Sequence, residues 1–346
     1  MIHQILEIIK EVFIYFGRKC KIILKEKNTQ LSINSDWFIK INKCPLCNSL
    51  SHDHLGSLQK DVIINRTNIS IDLKNYKLIK CNNCNLSYKN YITRPEAELK
   101  LQNYWKSNKQ EFQRWVPPSI KGLLNLKDYI DKYSHQVFNG VKPNLLDIGI
   151  GGGEFIKLFF SDYKTYGVEI NPIEGINYDK IINGEILFNN IEDNIDEKYI
   201  SSFHIITALD IFEHLSRPND AIKSLHSMLH SNGLLLIETG NISSLPSKMV
   251  GYSKWWYTSV LEHKIFWDTR TLPNFLKENG FNILKIQKKK HKGGNSLNLV
   301  PIIKYITYHL FPKLYQYIMN YLNKSQNAPN HPRIPWRDHI LIIAQK

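Results

Sequence analysis

Apolar positions follow two rhythms along this chain, and the change between them divides it. Ile2, Ile5, Leu6, Ile9, Val12, Phe13 and Phe16 recur at helical spacing, which predicts an amphipathic helix near the N-terminus. Farther on, short apolar runs alternate with helical stretches, as strands covered by helices do. Strands are predicted at Asn144–Ile148, Tyr166–Ile170, Ile181–Ile182, Phe203–Leu209, Leu234–Ile237, Phe281–Ile286 and Asp338–Ala344. Helices are predicted over Phe155–Phe160, around Leu123–Tyr133, over Ala221–Leu229 with Asn232-Gly233 as its stop, and over Leu272–Asn279 with Gly280 as its stop. Upstream, Val62–Ile64 and Tyr76–Ile79 read as strands of a smaller unit. Residues 96–140 read mostly as helix, with Trp105, Phe112 and Trp115 as packing residues and Pro117-Pro118 as a break. Pro301–Leu322 is apolar and helical in pattern, but Lys304, His309 and Lys313 interrupt it. It reads as a lid or an interfacial helix, not a membrane span.

The smaller unit carries Cys44-Pro45-Leu46-Cys47 and Cys81-Asn82-Asn83-Cys84. Two such knuckles offer four thiolates, Cys44, Cys47, Cys81 and Cys84, to one tetrahedral Zn²⁺, which closes a unit too small to fold on burial alone. With no open coordination position, such a site is structural. A redox pair is the rival, but neither pair opens a βαβ unit. His52 and His54 lie close by and are not needed as ligands, and Cys20 reads as a small buried hydrophobe.

Composition adds little to this and excludes some classes. The chain has 346 residues, 42% hydrophobic and 22% charged, the balance of an ordinary globular protein. Its net charge of +14 favours anionic partners such as nucleic acid, an anionic lipid surface or phosphorylated substrates, without choosing among them. Glu7, Lys10 and Glu11 interrupt the first apolar stretch, so it does not read as a signal peptide. Paired cysteines suited to metal point to a reducing compartment, and the expected location is the cytoplasm. Arg18, Lys19, Lys21, Lys25 and Lys27 follow the N-terminal stripe. That helix either packs on protein or makes peripheral contact with the inner face of a membrane.

The chemistry concentrates at Leu145-Leu146-Asp147-Ile148-Gly149-Ile150-Gly151-Gly152-Gly153-Glu154. A dinucleotide fingerprint requires G-x-G-x-x-G, and its last position is here occupied by Glu154. What stands instead is D-x-G-x-G-x-G between a strand and a helix, and this resembles the cofactor loop of class I S-adenosylmethionine-dependent methyltransferases. Later segments follow that family's order: an acid, Glu169, after the second strand; Asp210-Ile211-Phe212-Glu213-His214 after the fourth; Glu238-Thr239-Gly240-Asn241 after the fifth. The resemblance covers residues 143–346. It implies an α/β fold, a Rossmann-like seven-stranded methyltransferase sheet with a small N-terminal zinc-ribbon module.

The same resemblance implies S-adenosylmethionine bound by Asp147, Gly149, Gly151, Gly153, Glu169, Asn190, Ile191 and Asp210. Glu169 is the expected ribose ligand, and Asn190 stands where the family usually places an acid against adenine. The implied division is an amphipathic helix over 1–34, a zinc-ribbon-like module over 35–95, a helical connector over 96–142 and the methyltransferase domain over 143–346. Within that domain, 240–268 is the substrate loop and 293–335 a helical insertion.

A Glu-His pair at a strand's carboxyl end has the reach and pKa range to take a proton from a hydroxyl acceptor. His214 with Glu213 is the first candidate base, and His263, in the aromatic loop, the second. Asp210, Glu213 and His214 alternatively hold Mg²⁺, as a similar triplet does in quinone-type O-methyltransferases, or form a structural helix start. The cysteine module resembles zinc modules fused to methyltransferases of sugar and surface-polysaccharide biosynthesis. The expected acceptor is therefore a sugar, glycan or lipid-linked hydroxyl. An RNA or protein methyltransferase, and a non-catalytic membrane-associated module, are the alternatives.

Overall fold

A computed structural model describes residues 35–58, 61–64, 67–70, 76–98, 100, 120–170, 172, 175–187, 190–193, 195–258, 260–290, 307 and 337–346. The striped N-terminal helix, Trp105, Phe112, Trp115 and nearly all of the 293–335 insertion lie outside these residues.

The N-terminal part is made of short strands: β1 (Phe38–Lys40), β2 (His52–Ser57), β3 (Asp61–Ile64), β4 (Thr67–Ser70), β5 (Lys77–Cys81), β6 (Ser87–Lys89) and β7 (Tyr91–Thr93). Strands β1 and β7 pair with each other, as do β3 and β4, while β2, β5 and β6 form one antiparallel ribbon. Helix α1 (Ile120–Val137) leads into the second part. There follow β8 (Asn144–Ile148), β9 (Lys164–Val168), β10 (Ile186–Leu187), β11 (Phe203–Leu209), α2 (Pro218–Met228), β12 (Leu229–Gly240), α3 (Leu245–Val250), β13 (Ile265–Phe266), α4 (Thr271–Glu278), β14 (Asn282–Lys289) and β15 (His339–Gln345).

Seven of these strands form one sheet in the order β10-β9-β8-β11-β12-β15-β14. The first five run parallel, and β15 lies antiparallel between β12 and β14. This is the α/β, Rossmann-like sheet expected from the sequence. The central strands are near-continuous apolar runs because both faces are covered: Leu145, Leu146, Ile205, Ile206, Leu235 and Leu236 have no exposed surface. At the edge, β14 turns Lys285, Lys288 and Lys289 outward or half outward, which blunts the edge against further pairing.

Three local expectations are corrected. The third strand is Ile186–Leu187, not Ile181–Ile182. The latter pair ends the short 3₁₀ turn Tyr178–Lys180, and the Ile181 N–H donates to the Tyr178 carbonyl (2.8 Å). Asn232-Gly233 does not cap α2. That helix stops at Met228, and Asn232 bends the start of β12 in a left-handed conformation (φ +63°). Phe155–Phe160 holds only a four-residue 3₁₀ helix, Ile156–Phe159.

The aromatic loop also differs from its expected role. Trp255, Trp256 and Tyr257 are buried in a cluster with Trp37, Phe38, Tyr91 and Phe266, so they fill the join between the two parts of the chain. Strand β13, from the same loop, extends the N-terminal ribbon as its edge strand, Ile265 opposite Tyr88 and Phe266 opposite Ser87. A second core cluster runs from Cys44, Cys81 and Tyr88 through Ile265 to the sheet residues Leu146 and Ile206. The ribbon and the sheet therefore share one core.

The placement of β15 is testable through two residues that pair in register, Ile342 and Ile286. Ile342 is fully buried and Ile286 is 44% exposed. Ile342→Ala should cost about 2–5 kcal/mol in denaturant unfolding, and Ile286→Ala no more than about 1 kcal/mol. Equal costs would contradict the insertion of this strand.

Candidate active site

Strand β8 delivers Asp147 beside β11, where Thr207 Oγ1 donates to its carboxylate (2.6 Å). Asp147 is 5% exposed. Burial pushes its carboxyl up to about 7, helped by the nearby Glu169 charge and opposed by the Thr207 bond. Beyond β8 the chain turns across to β9, with the N–H groups of Gly149 and Ile150 both donating to the Val168 carbonyl (2.8 and 3.1 Å). Two glycines make this turn possible. Gly149 (φ +73°) and Gly153 (φ +79°) are left-handed, and a Cβ would overlap Ile211 at the first and Ile181 at the second. Between them Gly151 donates its N–H to Glu169 Oε2 (2.9 Å), and its carbonyl accepts from Tyr178 Oη (3.0 Å). Above Gly151 the loop is bare backbone, since a Cβ there would meet nothing nearer than the Gly149 carbonyl at 3.9 Å. Asp147, the three glycines and Glu169 are thus gathered at one place.

The remaining expected cofactor residues are held in different ways. Asn190 Oδ1 accepts the Glu192 N–H (3.0 Å) and closes a turn, while Ile191 is buried in the core. Glu192 then accepts the N–H groups of Ser216 (2.7 Å) and Arg217, tying the turn to the segment after β11. Asp210 has a left-handed backbone (φ +57°), and its Oδ1 lies 3.7 Å from His339 Nε2. Burial opposes a charge on His339. Asp338 beside it, then Asp210 and Glu238, outweigh that and lift its pKa to about 9. Asp338 in turn accepts from Trp256 Nε1 (3.2 Å).

The second grouping surrounds Glu213, which is fully buried. Its Oε2 accepts from Thr239 Oγ1 (2.7 Å), and its Oε1 accepts from Tyr257 Oη (2.5 Å). The Nε2 atoms of His214 and His263 each lie 3.9 Å from Oε1. On the far side of each ring, Nδ1 faces a backbone carbonyl: Glu262 for His214 (3.1 Å) and Tyr257 for His263 (2.9 Å). A carbonyl only accepts, so each Nδ1 carries the proton and each Nε2 is left as the bare nitrogen. Partial desolvation lowers His214 below its ordinary value, and burial lowers His263 well below its own while it raises Glu213. Both imidazoles are therefore neutral at physiological pH. His214, 39% exposed, is the member that reaches solvent. The expected metal triplet Asp210/Glu213/His214 is not what comes together. Asp210 turns to His339, and the potential ligand atoms that lie within 4.8 Å of one another are those of Glu213, His214 and His263.

Residues 112–286 match the family model described as a methyltransferase domain. The matched half of the chain contains the glycine loop and the Glu213–His214–His263 group. The chain belongs to this methyltransferase family. Curated proteins give no sequence match. Solved structures similar to the chain include an S-adenosylmethionine-dependent methyltransferase from Archaeoglobus fulgidus (21% identity, 65% of this chain and 92% of that one, TM-score 0.43). Another is the 1,6-didemethyltoxoflavin-N1-methyltransferase of Burkholderia thailandensis (12% identity, 75% and 94%, TM-score 0.44). A third is an S-adenosylmethionine-dependent methyltransferase from Mesorhizobium loti (12% identity, 59% and 91%, TM-score 0.38).

The bare backbone at Gly151 beside the Glu169 carboxylate suits the nucleoside of S-adenosylmethionine, the methyl donor that the glycine loop implies. In the N-terminal ribbon the four described cysteines form one cluster. Cys44 Sγ is 3.5 Å from Cys84 Sγ, and Cys47 Sγ is 3.5 Å from Cys81 Sγ. These contacts run between the two knuckles, not within either. Tetrahedral Zn²⁺ with bonds of about 2.3 Å sets sulfurs about 3.8 Å apart, so the donor set fits. Each knuckle ends in a left-handed asparagine, Asn48 (φ +59°) and Asn85 (φ +62°), whose N–H donates to the first cysteine's carbonyl (2.9 and 3.0 Å). The repeated Cys-Asn step was a usable sequence signal for that turn. Thr207, Thr239, Tyr257 and His339 sit within apolar strands or among aromatics, where nothing local marks them as partners of buried carboxylates.

Asp147 supplies a pH test. Its folded carboxyl titrates near 7, against an ordinary value of 3.8. Between those values the folded chain holds a proton that the unfolded chain has lost, so this group's contribution to stability falls as pH rises. Asp147→Asn should remove that slope, making the variant progressively more stable than wild type in urea from about pH 5 to pH 8. Parallel pH profiles would overturn the assignment of this proton.

Proposed function

We propose that the enzyme methylates a hydroxyl of a sugar, glycan or lipid-linked metabolite, with His214 as the general base. The observation that carries this reading is the arrangement of two neutral imidazoles whose bare Nε2 atoms each lie 3.9 Å from a buried carboxylate. S-adenosylmethionine, when bound, supplies an electrophilic methyl group on sulfonium. His214, the exposed ring, takes the acceptor's proton on Nε2. Glu213, held as an acceptor by two hydroxyls, stabilises the resulting imidazolium. His263 is the second base, behind His214. Glu169 holds the ribose hydroxyls, and Asp147, Gly149, Gly151, Gly153, Ile191 and Asp210 line the cofactor. Asn190 contacts adenine through its amide nitrogen, since its oxygen is engaged by Glu192. Cys44, Cys47, Cys81 and Cys84 hold one structural Zn²⁺. The working site is cytoplasmic, and the basic N-terminal segment either packs on protein or makes a peripheral membrane contact. No helix among the described residues is long and apolar enough to cross a membrane.

The test supplies S-adenosylmethionine labelled in its methyl group together with nucleotide sugars, lipid-linked glycans and bulk RNA. Label should enter a sugar-containing acceptor. His214→Ala should cut turnover by about 10²-fold or more while S-adenosylhomocysteine affinity stays within about twofold, since His214 removes a proton and does not hold the cofactor. Label entering RNA alone, or unchanged turnover in the variant, would overturn the reading. Metal analysis should find one zinc per chain. Chelation should unfold the ribbon, and intact near-ultraviolet circular dichroism after zinc removal would refute a structural ion.

A further inference from the structure

Among the described residues, one buried lysine has no task in the catalytic reading. Lys89, at the end of β6 in the cysteine module, is 1% exposed. Its Nζ donates to the carbonyls of Val260 (2.6 Å) and Leu261 (3.5 Å), and its own N–H donates to the Lys264 carbonyl (2.9 Å). Lysine is almost never fully buried unless what it holds repays the loss of water. What it holds here is the segment bearing Glu262 and His263. On the opposite side, the same segment is tied to the base: the Lys264 and Ile265 N–H groups donate to the Glu213 carbonyl (2.8 and 3.2 Å), and the Glu262 carbonyl receives His214 Nδ1–H (3.1 Å).

We infer that Lys89 is a positioning residue: by gripping the Val260 and Leu261 carbonyls it fixes the adjacent Glu262 carbonyl, and this sets the tautomer and orientation of His214. The inference rests on His214 as the base and extends that reading to the cysteine module. A ring whose Nδ1–H has lost its carbonyl is free to carry the proton on Nε2, where it cannot accept one from a substrate. Burial lowers Lys89 to about 7, and it raises the neighbouring Glu262 to about 7. Both the ammonium and the neutral amine carry N–H donors, so the grip on Val260 survives across neutral pH.

Nitrogen-15 NMR of the histidine rings in the full chain tests this without knowledge of the acceptor. Ring signals are assigned by their loss in His214→Gln and His263→Gln. Wild-type His214 should show a protonated Nδ1 and a bare Nε2. Lys89→Met, of similar length but with no donor, should convert it to a mixture of tautomers. Zinc content and S-adenosylhomocysteine affinity should stay as in wild type, and Lys89→Arg should restore part of the single-tautomer signal. Unchanged His214 signals in Lys89→Met would overturn the inference. Should that variant fail to fold, Lys89→Gln, with a shorter donor, reads the same signals. Wild-type His214 protonated on Nε2 would overturn the inference with no variant at all. Failure of wild type to bind S-adenosylhomocysteine would instead count against methyl transfer and leave the ring signals unaffected.

Discussion

A carboxylate with no access to water must be satisfied by the protein around it, and Glu213 imposes that requirement on two other segments of the chain. Thr239 from the end of β12 and Tyr257 from the aromatic loop each donate a hydroxyl to it, and the Nε2 atoms of His214 and His263 lie 3.9 Å from the same oxygen that Tyr257 holds. Leaving such a group unpaired would cost several kcal/mol. The loop therefore cannot settle elsewhere without orphaning it. Tyr257 also donates structure in the other direction, since its hydroxyl oxygen accepts the Gly240 N–H (3.0 Å) and fixes the end of β12. The acid is thus the point at which sheet, loop and imidazoles are brought into a single geometry.

Most of the framework could be read from local pattern. The runs at Asn144–Ile148 and Phe203–Leu209 are strands with those bounds, because doubly covered parallel strands leave an uninterrupted apolar signal. The glycine loop was equally plain, since its spacing has few physical solutions. Where the reading slipped, a nonlocal partner decided the outcome. Ile181 and Ile182 look like a strand, but the pairing positions opposite Gly167 and Val168 are taken by Ile186 and Leu187. Asn232-Gly233 looks like a helix stop, yet α2 had already ended when β12 began to pair with β11.

The site was legible as residue types and not as a set of distances. Asp210, Glu213 and His214 share a short segment and invite grouping. The turn at Asp210 points its carboxylate toward His339, more than a hundred residues away in sequence, and brings His263 into the place left open. Trp255, Trp256 and Tyr257 fall in the 240–268 segment, which reads as the substrate loop because an aromatic-rich loop after a strand so often meets substrate. In fact the cysteine module covers them. Neither outcome has a signature within a window of ten or fifteen residues.

The place of β15 has a consequence for how the chain is made. In sequence β14 precedes it, but in space β15 occupies the slot between β12 and β14. While a ribosome is still synthesising the residues before 339, β12 and β14 are both present and must not zip together, because that pairing would close the slot. Two long strand edges stay unsatisfied through this interval, and such edges invite association with other chains. The lysines along β14 then guard the nascent protein as well as the finished one.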